Sequence, residues 1–109
     1  MLGKRKEIEF LAIGDTVVDA FIKLKKANVI GEPDTPGYEI AIPFAEKVPY
    51  EDVFVIPAVG NAANAAISAA RLGLKTSIVT NLGGDRDGED CLAELKRNKV
   101  ETDFVKINR

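Results

Sequence analysis

The chain has 109 residues, of which 46% are hydrophobic and 29% charged, a balance that marks a globular fold and leaves no length for a second independent core. The formal net charge of −2, with lysines divided between Lys4-Arg5-Lys6 and Lys23-Lys25-Lys26, provides no basic footprint for nucleic acid. A single cysteine, Cys91, and no histidine exclude an intrachain disulfide, zinc sites and histidine-dependent catalysis, and fit a reducing, cytoplasmic compartment.

The charged start, Met1 to Glu7, runs into a short apolar segment, Ile8 to Ile13, far below the roughly 20 residues of a membrane span. No targeting segment or membrane partner is expected. Ile8 to Ile13 ends at Gly14-Asp15, the pattern of a buried strand closing at a turn. From Thr16 to Ala27, Ile22 and Leu24 alternate with Lys23, Lys25 and then Lys26, which predicts a strand with one wet face. The segment from Gly31 to Gly37 is dense in turn formers, and Tyr38, Ile40, Ile42 and Phe44 then repeat at period two. Together these predict a hairpin flap at about residues 17–47, placed outside a parallel sheet whose members read apolar throughout.

Pro43, Pro49 and Pro57 are read as a connection. Gly60 then opens an alanine-rich helix stopped by Gly73, on which Asn61, Asn64, Ser68 and Arg71 form one polar stripe. Lys75 to Thr80 is expected as a strand, Gly83-Gly84-Asp85 as a turn, and Gly88 to Asn98 as a helix. That helix has Glu89 and Asp90 assigned to its first turn and Lys96 and Arg97 to its last, complementing its dipole. Phe104 to Ile107 begins another strand. The order is that of an α/β fold interrupted by an early insertion.

Several residues carry chemistry or a plainer role. Asp19 is a carboxylate able to accept from two adjacent hydroxyls, or an acid at a turn or on the wet face of the flap strand. Gly60 and Asn64 stand where free backbone N–H groups and a missing Cβ admit a ligand, or they are an ordinary helix start with Asn61 as its cap. Asp85, Asp87 and Glu89 alternate as in a calcium loop, but the glycine is fourth from Asp85 rather than sixth, so Asp85 is read as a helix-capping acid. Cys91, near Leu92 and Leu95, reads as a core residue rather than a nucleophile. Neither Gly-x-x-x-x-Gly-Lys-Ser/Thr nor Gly-x-Gly-x-x-Gly occurs.

In this order and spacing four landmarks resemble the PfkB, or ribokinase, family. They are Gly14-Asp15 with Asp19, the flap, Gly60-x-x-x-Asn64 opening a helix that ends Arg71-Leu72-Gly73, and Gly83-x-Asp85-x-x-Gly88. Val100-Glu101-Thr102 looks like the family's Gly-Val-Asp-Thr segment, with Lys99 in place of the glycine, and Val59 replaces the first of two glycines usual before the asparagine helix.

The resemblance implies the N-terminal part of a three-layer, ribokinase-like α/β fold with a hairpin lid. It implies the substrate-binding part of an ATP-dependent sugar or nucleoside kinase that phosphorylates a hydroxymethyl group, with Asp19, Gly60 and Asn64, and also Asn61 and Val17, contacting the acceptor. ATP and Mg²⁺ would serve the full-length kinase. Because the family's Gly-Ala-Gly-Asp signature and catalytic aspartate are not found up to Arg109, these 109 residues are expected to bind no nucleotide or metal and to be inactive alone. An alternative is a non-catalytic sugar-binding module or a homodimer formed through the lid sheet. A small dehydrogenase-type nucleotide domain is disfavoured, since the first strand leads into a hairpin rather than a glycine-rich turn and helix.

Overall fold

A computed structural model describes residues 7–109. The basic cluster Lys4-Arg5-Lys6 lies outside the described residues. The elements in order are β1 (Phe10–Ile13), β2 (Val17–Leu24), β3 (Asn28–Ile30), β4 (Glu39–Ala41), β5 (Tyr50–Val59), α1 (Asn61–Arg71), β6 (Thr76–Gly83), α2 (Arg86–Arg97), β7 (Val100–Glu101) and β8 (Val105–Asn108). The chain divides into two compact units, one comprising the chain up to Asp19 together with Ile56–Arg109, the other Ala20–Val55.

The first unit is built on β6. β1 pairs with it in parallel, Phe10 opposite Thr76 and Ile13 opposite Val79. β7 and β8 follow one another along it, also parallel, with Glu101 opposite Ser77 and Val105 opposite Thr80. Side chains of a strand alternate between faces, and the alternation here decides what is covered. Ala12, Ile78, Leu82 and Val100 are buried in one cluster with Ala62, Ala63 and Ala66 of α1 and Cys91 and Leu95 of α2. Both helices therefore pack on the same face of the sheet. On the other face Leu11 and Val79 are exposed and Ile13 is 72% exposed.

Small residues let α1 approach closely. Its buried side is Ala62, Ala63, Ala66 and Ala69, and a Cβ added to Gly14 would stand 3.1 Å from the Ala62 Cβ. The stripe Asn61, Asn64, Ser68 and Arg71 faces solvent, as its spacing requires. At the far end Gly73, with φ +94°, donates its N–H to Ala70 and Leu74 donates to Ala69, a left-handed stop that glycine adopts without steric cost. In α2, Asp85 is the N-cap, its carboxylate accepting the Gly88 N–H at 2.9 Å. The helix begins two residues earlier than its composition indicated, so its first turn holds Asp87 and Glu89 rather than Asp90. A Cβ on Gly88 would overlap the Gly83 carbonyl, which explains why the tight strand-to-helix turn needs glycine there.

The second unit differs from the expected hairpin. The turn formers do close a hairpin: β3 and β4 pair antiparallel, Ile30 opposite Glu39, around a turn in which Thr35 donates its hydroxyl and its N–H to the Glu32 carbonyl. The long wet strand β2 pairs instead with β5, a ten-residue strand where the prolines had indicated only a connection. Val53-Phe54-Val55-Ile56 has high strand propensity. In a two-stranded ribbon each strand keeps a free edge, where proline is tolerated. In this unit Lys25 donates to the Pro49 carbonyl, and Lys23 lies 3.1 Å from Glu51. No helix among the described residues is long and apolar enough to cross a membrane.

Candidate functional site

Ligands of open α/β sheets gather outside the carboxyl ends of the parallel strands. Here that end holds the exit of β1, the start of β2, the end of β5 and the start of α1. Gly60 is the N-cap of α1, with φ +100°. A side chain there would meet the Asp15 carbonyl oxygen at 3.2 Å and the Val17 Cγ2 at 3.5 Å, so the head of the helix abuts the turn that leads from β1 into β2. Asn64 donates its N–H to the Gly60 carbonyl at 2.8 Å, closing the first helical turn.

The five residues singled out from sequence fall into two groups. Val17 and Gly60 are brought together by that contact. Asp19, Asn61 and Asn64 have exposed side chains without a hydrogen-bond partner among the described residues. Asp19 is the third residue of β2, two beyond Val17 and so on the same face of the strand. This removes the reading of Asp19 as a turn residue; an exposed carboxylate on the strand agrees both with a wet face and with accepting from hydroxyls. Asn61 is not a cap, since no side chain caps α1 and the N-cap is Gly60. The residue before it, Val59, closes β5 without a positive φ, so the usual glycine is not demanded by the backbone.

Sequence reading missed what lies beneath. Ala58 is buried and left-handed, φ +57°, a conformation that costs a non-glycine residue about 1–3 kcal/mol. Its N–H donates to the Cys91 Sγ at 3.2 Å, and that thiol points toward the Val17 carbonyl at 3.9 Å, a long, weak contact even for sulfur. Burial pushes the Cys91 thiol above its ordinary pKa. The Ala58 N–H works against this, and Asp87, Asp90 and Asp85 work with it. The sulfur is thus a neutral thiol at pH 7, able both to accept and to donate, and a poor nucleophile. Nearby, the buried Thr80 hydroxyl donates to that of Thr16 at 3.0 Å. No sequence signal marks these pairs, because the partners lie far apart in the chain.

A recess of about 350 Å³ opens at this end, lined by Thr16, Val17, Val18, Asn81, Asp85 and Cys91 among others. Of the five candidates only Val17 lines it. A larger open groove of about 1310 Å³ runs past Ile8, Arg71, Leu74, Lys75 and Lys99. It lies at the amino ends of β1 and β6, where such sheets do not place ligands, and holds none of the candidates.

A family model described as pfkB family carbohydrate kinase matches residues 25–109. The chain belongs to this family. Mouse ribokinase is 44% identical over 46 residues, 42% of this chain and 14% of that protein. The 5-dehydro-2-deoxygluconokinase of Geobacillus thermodenitrificans is 29% identical over 102 residues, 94% of this chain and 25% of that protein. Among solved structures, the nucleoside kinase of Methanocaldococcus jannaschii, an archaeal member of the ribokinase family, superposes with a TM-score of 0.65 at 18% identity, covering 92% of this chain and 28% of its own. The α/β architecture is therefore that of the N-terminal portion of the ribokinase fold, and the chain spans about a quarter or less of the curated relatives it matches.

Proposed function

We propose that this PfkB-family segment is the acceptor-binding part of an ATP-dependent kinase that phosphorylates a hydroxymethyl group of a sugar or nucleoside. The observation that carries the reading is the contact between the head of α1 and the Asp15–Val17 turn, which draws the base of the Asp19 strand toward the helix that bears Asn64. In this reading the Asp19 carboxylate accepts from two neighbouring hydroxyls, and the Asn64 amide offers one donor and one acceptor. Gly60 keeps the backbone open to close approach, and Asn61 and Val17 complete the wall.

The contribution of such a site to catalysis is positioning of the acceptor hydroxyl. These residues include neither of the glycine-rich phosphate-cradling patterns. ATP, Mg²⁺ and the proton-accepting aspartate belong, in this proposal, to the rest of a longer kinase. A second helix layer from the same source would cover Leu11, Ile13 and Val79.

The test is calorimetry on a full-length kinase carrying this segment, with ribose, 5-dehydro-2-deoxygluconate and adenosine as acceptors. Two charge-assisted hydrogen bonds lost in Asp19→Ala should weaken the preferred acceptor roughly 100-fold or more, with ATP affinity unchanged. Unchanged acceptor affinity would leave Asp19 as a solvated strand residue. The 109-residue chain alone should transfer no phosphate from ATP to any of the three.

A second reading has its own observation. Phe21, Ile22, Val29, Ile40, Phe44 and Phe54 of the second unit are all exposed. Exposed apolar sheet surface favours association, and in this reading the unit joins a second copy. A full-length kinase that sediments as a monomer at all concentrations would refute the dimer.

A further inference from the structure

We propose that Cys91 is a positioning residue for the acceptor site: its sulfur holds the backbone at Ala58 by a hydrogen bond and packs toward the Val17 carbonyl, and thereby sets where Gly60 and the start of the Asp19 strand stand. The inference rests on reading those two residues as acceptor contacts. Each of these backbone positions lies two residues before one of them, Ala58 before Gly60 and Val17 before Asp19.

Three observations converge on it. Ala58 is 2% exposed, so its N–H must be met from within the core, and the Cys91 Sγ meets it at 3.2 Å. The Val17 side chain stands 3.5 Å from the position of a Gly60 Cβ, so the two segments also touch one another. Cys91 itself sits on a firm platform, because α2 is capped by Asp85 and seated through Gly88 against the Gly83 carbonyl. A sulfur fixed in this way lets the core of the first unit dictate the spacing of two surface groups, which is how a supporting residue sharpens a binding site. The alternative is that Cys91 only fills space.

The two roles order the same pair of variants differently. In the full-length kinase, Cys91→Ala removes the acceptor that meets the Ala58 N–H, and Cys91→Ser keeps an acceptor at nearly the same place. If Cys91 positions the site, alanine raises the KM for the preferred acceptor (ribose, 5-dehydro-2-deoxygluconate or adenosine) about tenfold, serine by no more than about threefold, and the KM for ATP stays put in both. Alanine also leaves the buried Ala58 N–H unmet, so a lower thermal midpoint accompanies it, but a packing defect alone would not raise the acceptor KM selectively. If serine raises the acceptor KM as much as alanine, if the KM for ATP rises with it, or if the acceptor KM does not move, the proposal is overturned.

Asp19→Ala separates this failure from that of the site itself. Loss of acceptor binding in Asp19→Ala with none in Cys91→Ala sinks only the positioning role, whereas intact binding in Asp19→Ala sinks the site. Should the cysteine variants not fold, Ala58→Gly decides. It keeps the hydrogen bond to the sulfur and relieves the left-handed strain, so the acceptor KM is expected to stay where it was; a raised acceptor KM would mean that the alanine and not the sulfur sets the spacing, and counts against the proposal.

Discussion

The two units of this chain use similar proportions of apolar residues to opposite ends. In the first, Ile78, Leu95, Ala63 and Ala66 are fully buried, and a parallel sheet takes two helices onto one face. In the second, Ala20–Val55, no residue is buried, and Phe44 is 96% exposed. The difference teaches where folding free energy resides. Removal of apolar surface from water is the main favourable term, and paired two-stranded pieces without a covering layer gain little of it. The second unit has the backbone pairing of a folded element and no core of its own.

The sharpest way to break that contrast is a pair of truncations. Leu95→Ala should cost about 2–5 kcal/mol, since it opens a cavity among Ala66, Ile78 and Val100, whereas Phe44→Ala should stay within about 0.5 kcal/mol. Urea denaturation of both variants measures the two. A large loss at Phe44 would mean that its ring is covered in solution, and would favour association through this unit.

Hydrogen exchange offers a second, more graded comparison. Amides of β6 and α1 should exchange only through global unfolding, while those of β3 and β4 should exchange orders of magnitude faster through local opening. Equal protection would show that the second unit unfolds together with the first.

The same contrast governs what could be read in the sequence. β1, α1, β6 and α2 are legible because burial imposes period two or period 3.6 on their side chains, and Gly73 and Asp85 mark their boundaries by local chemistry. In the second unit the alternation of Ile22, Leu24, Ile40 and Ile42 indicates which side chains share a face but not which strand lies alongside. The sequence pattern therefore predicts the segment after the turn as the partner of β2, and the fold uses β5. Pro57 concealed β5, because a proline argues against a strand only where both edges are paired. β7, two residues long, is too short for any periodicity.

At the site, Asp19, Gly60 and Asn64 could be marked through the family's motifs. The support that Cys91 gives to Ala58 and Val17 could not. It depends on a left-handed alanine and on chain-distant contacts, and neither leaves a local pattern.

The smallest effect is expected where sequence and backbone disagree. Lys99 stands where the family's glycine is expected, and it has φ +62°, donating its N–H to the Lys96 carbonyl one residue past the C-cap Asn98. Left-handed backbone costs a side-chain-bearing residue roughly 1–2 kcal/mol, and glycine gives back part of that gain through its freer unfolded chain, so Lys99→Gly should stabilise the first unit by about 0.5–1 kcal/mol. For a chain of this size that is a rise of a few degrees, about 2–8 °C, in the thermal midpoint. Ala45, with φ +54° in the second unit, provides the matched control. If only the first unit melts cooperatively, Ala45→Gly relieves the same kind of strain and leaves the midpoint where it was. Equal shifts from both substitutions would mean that the two units share one transition.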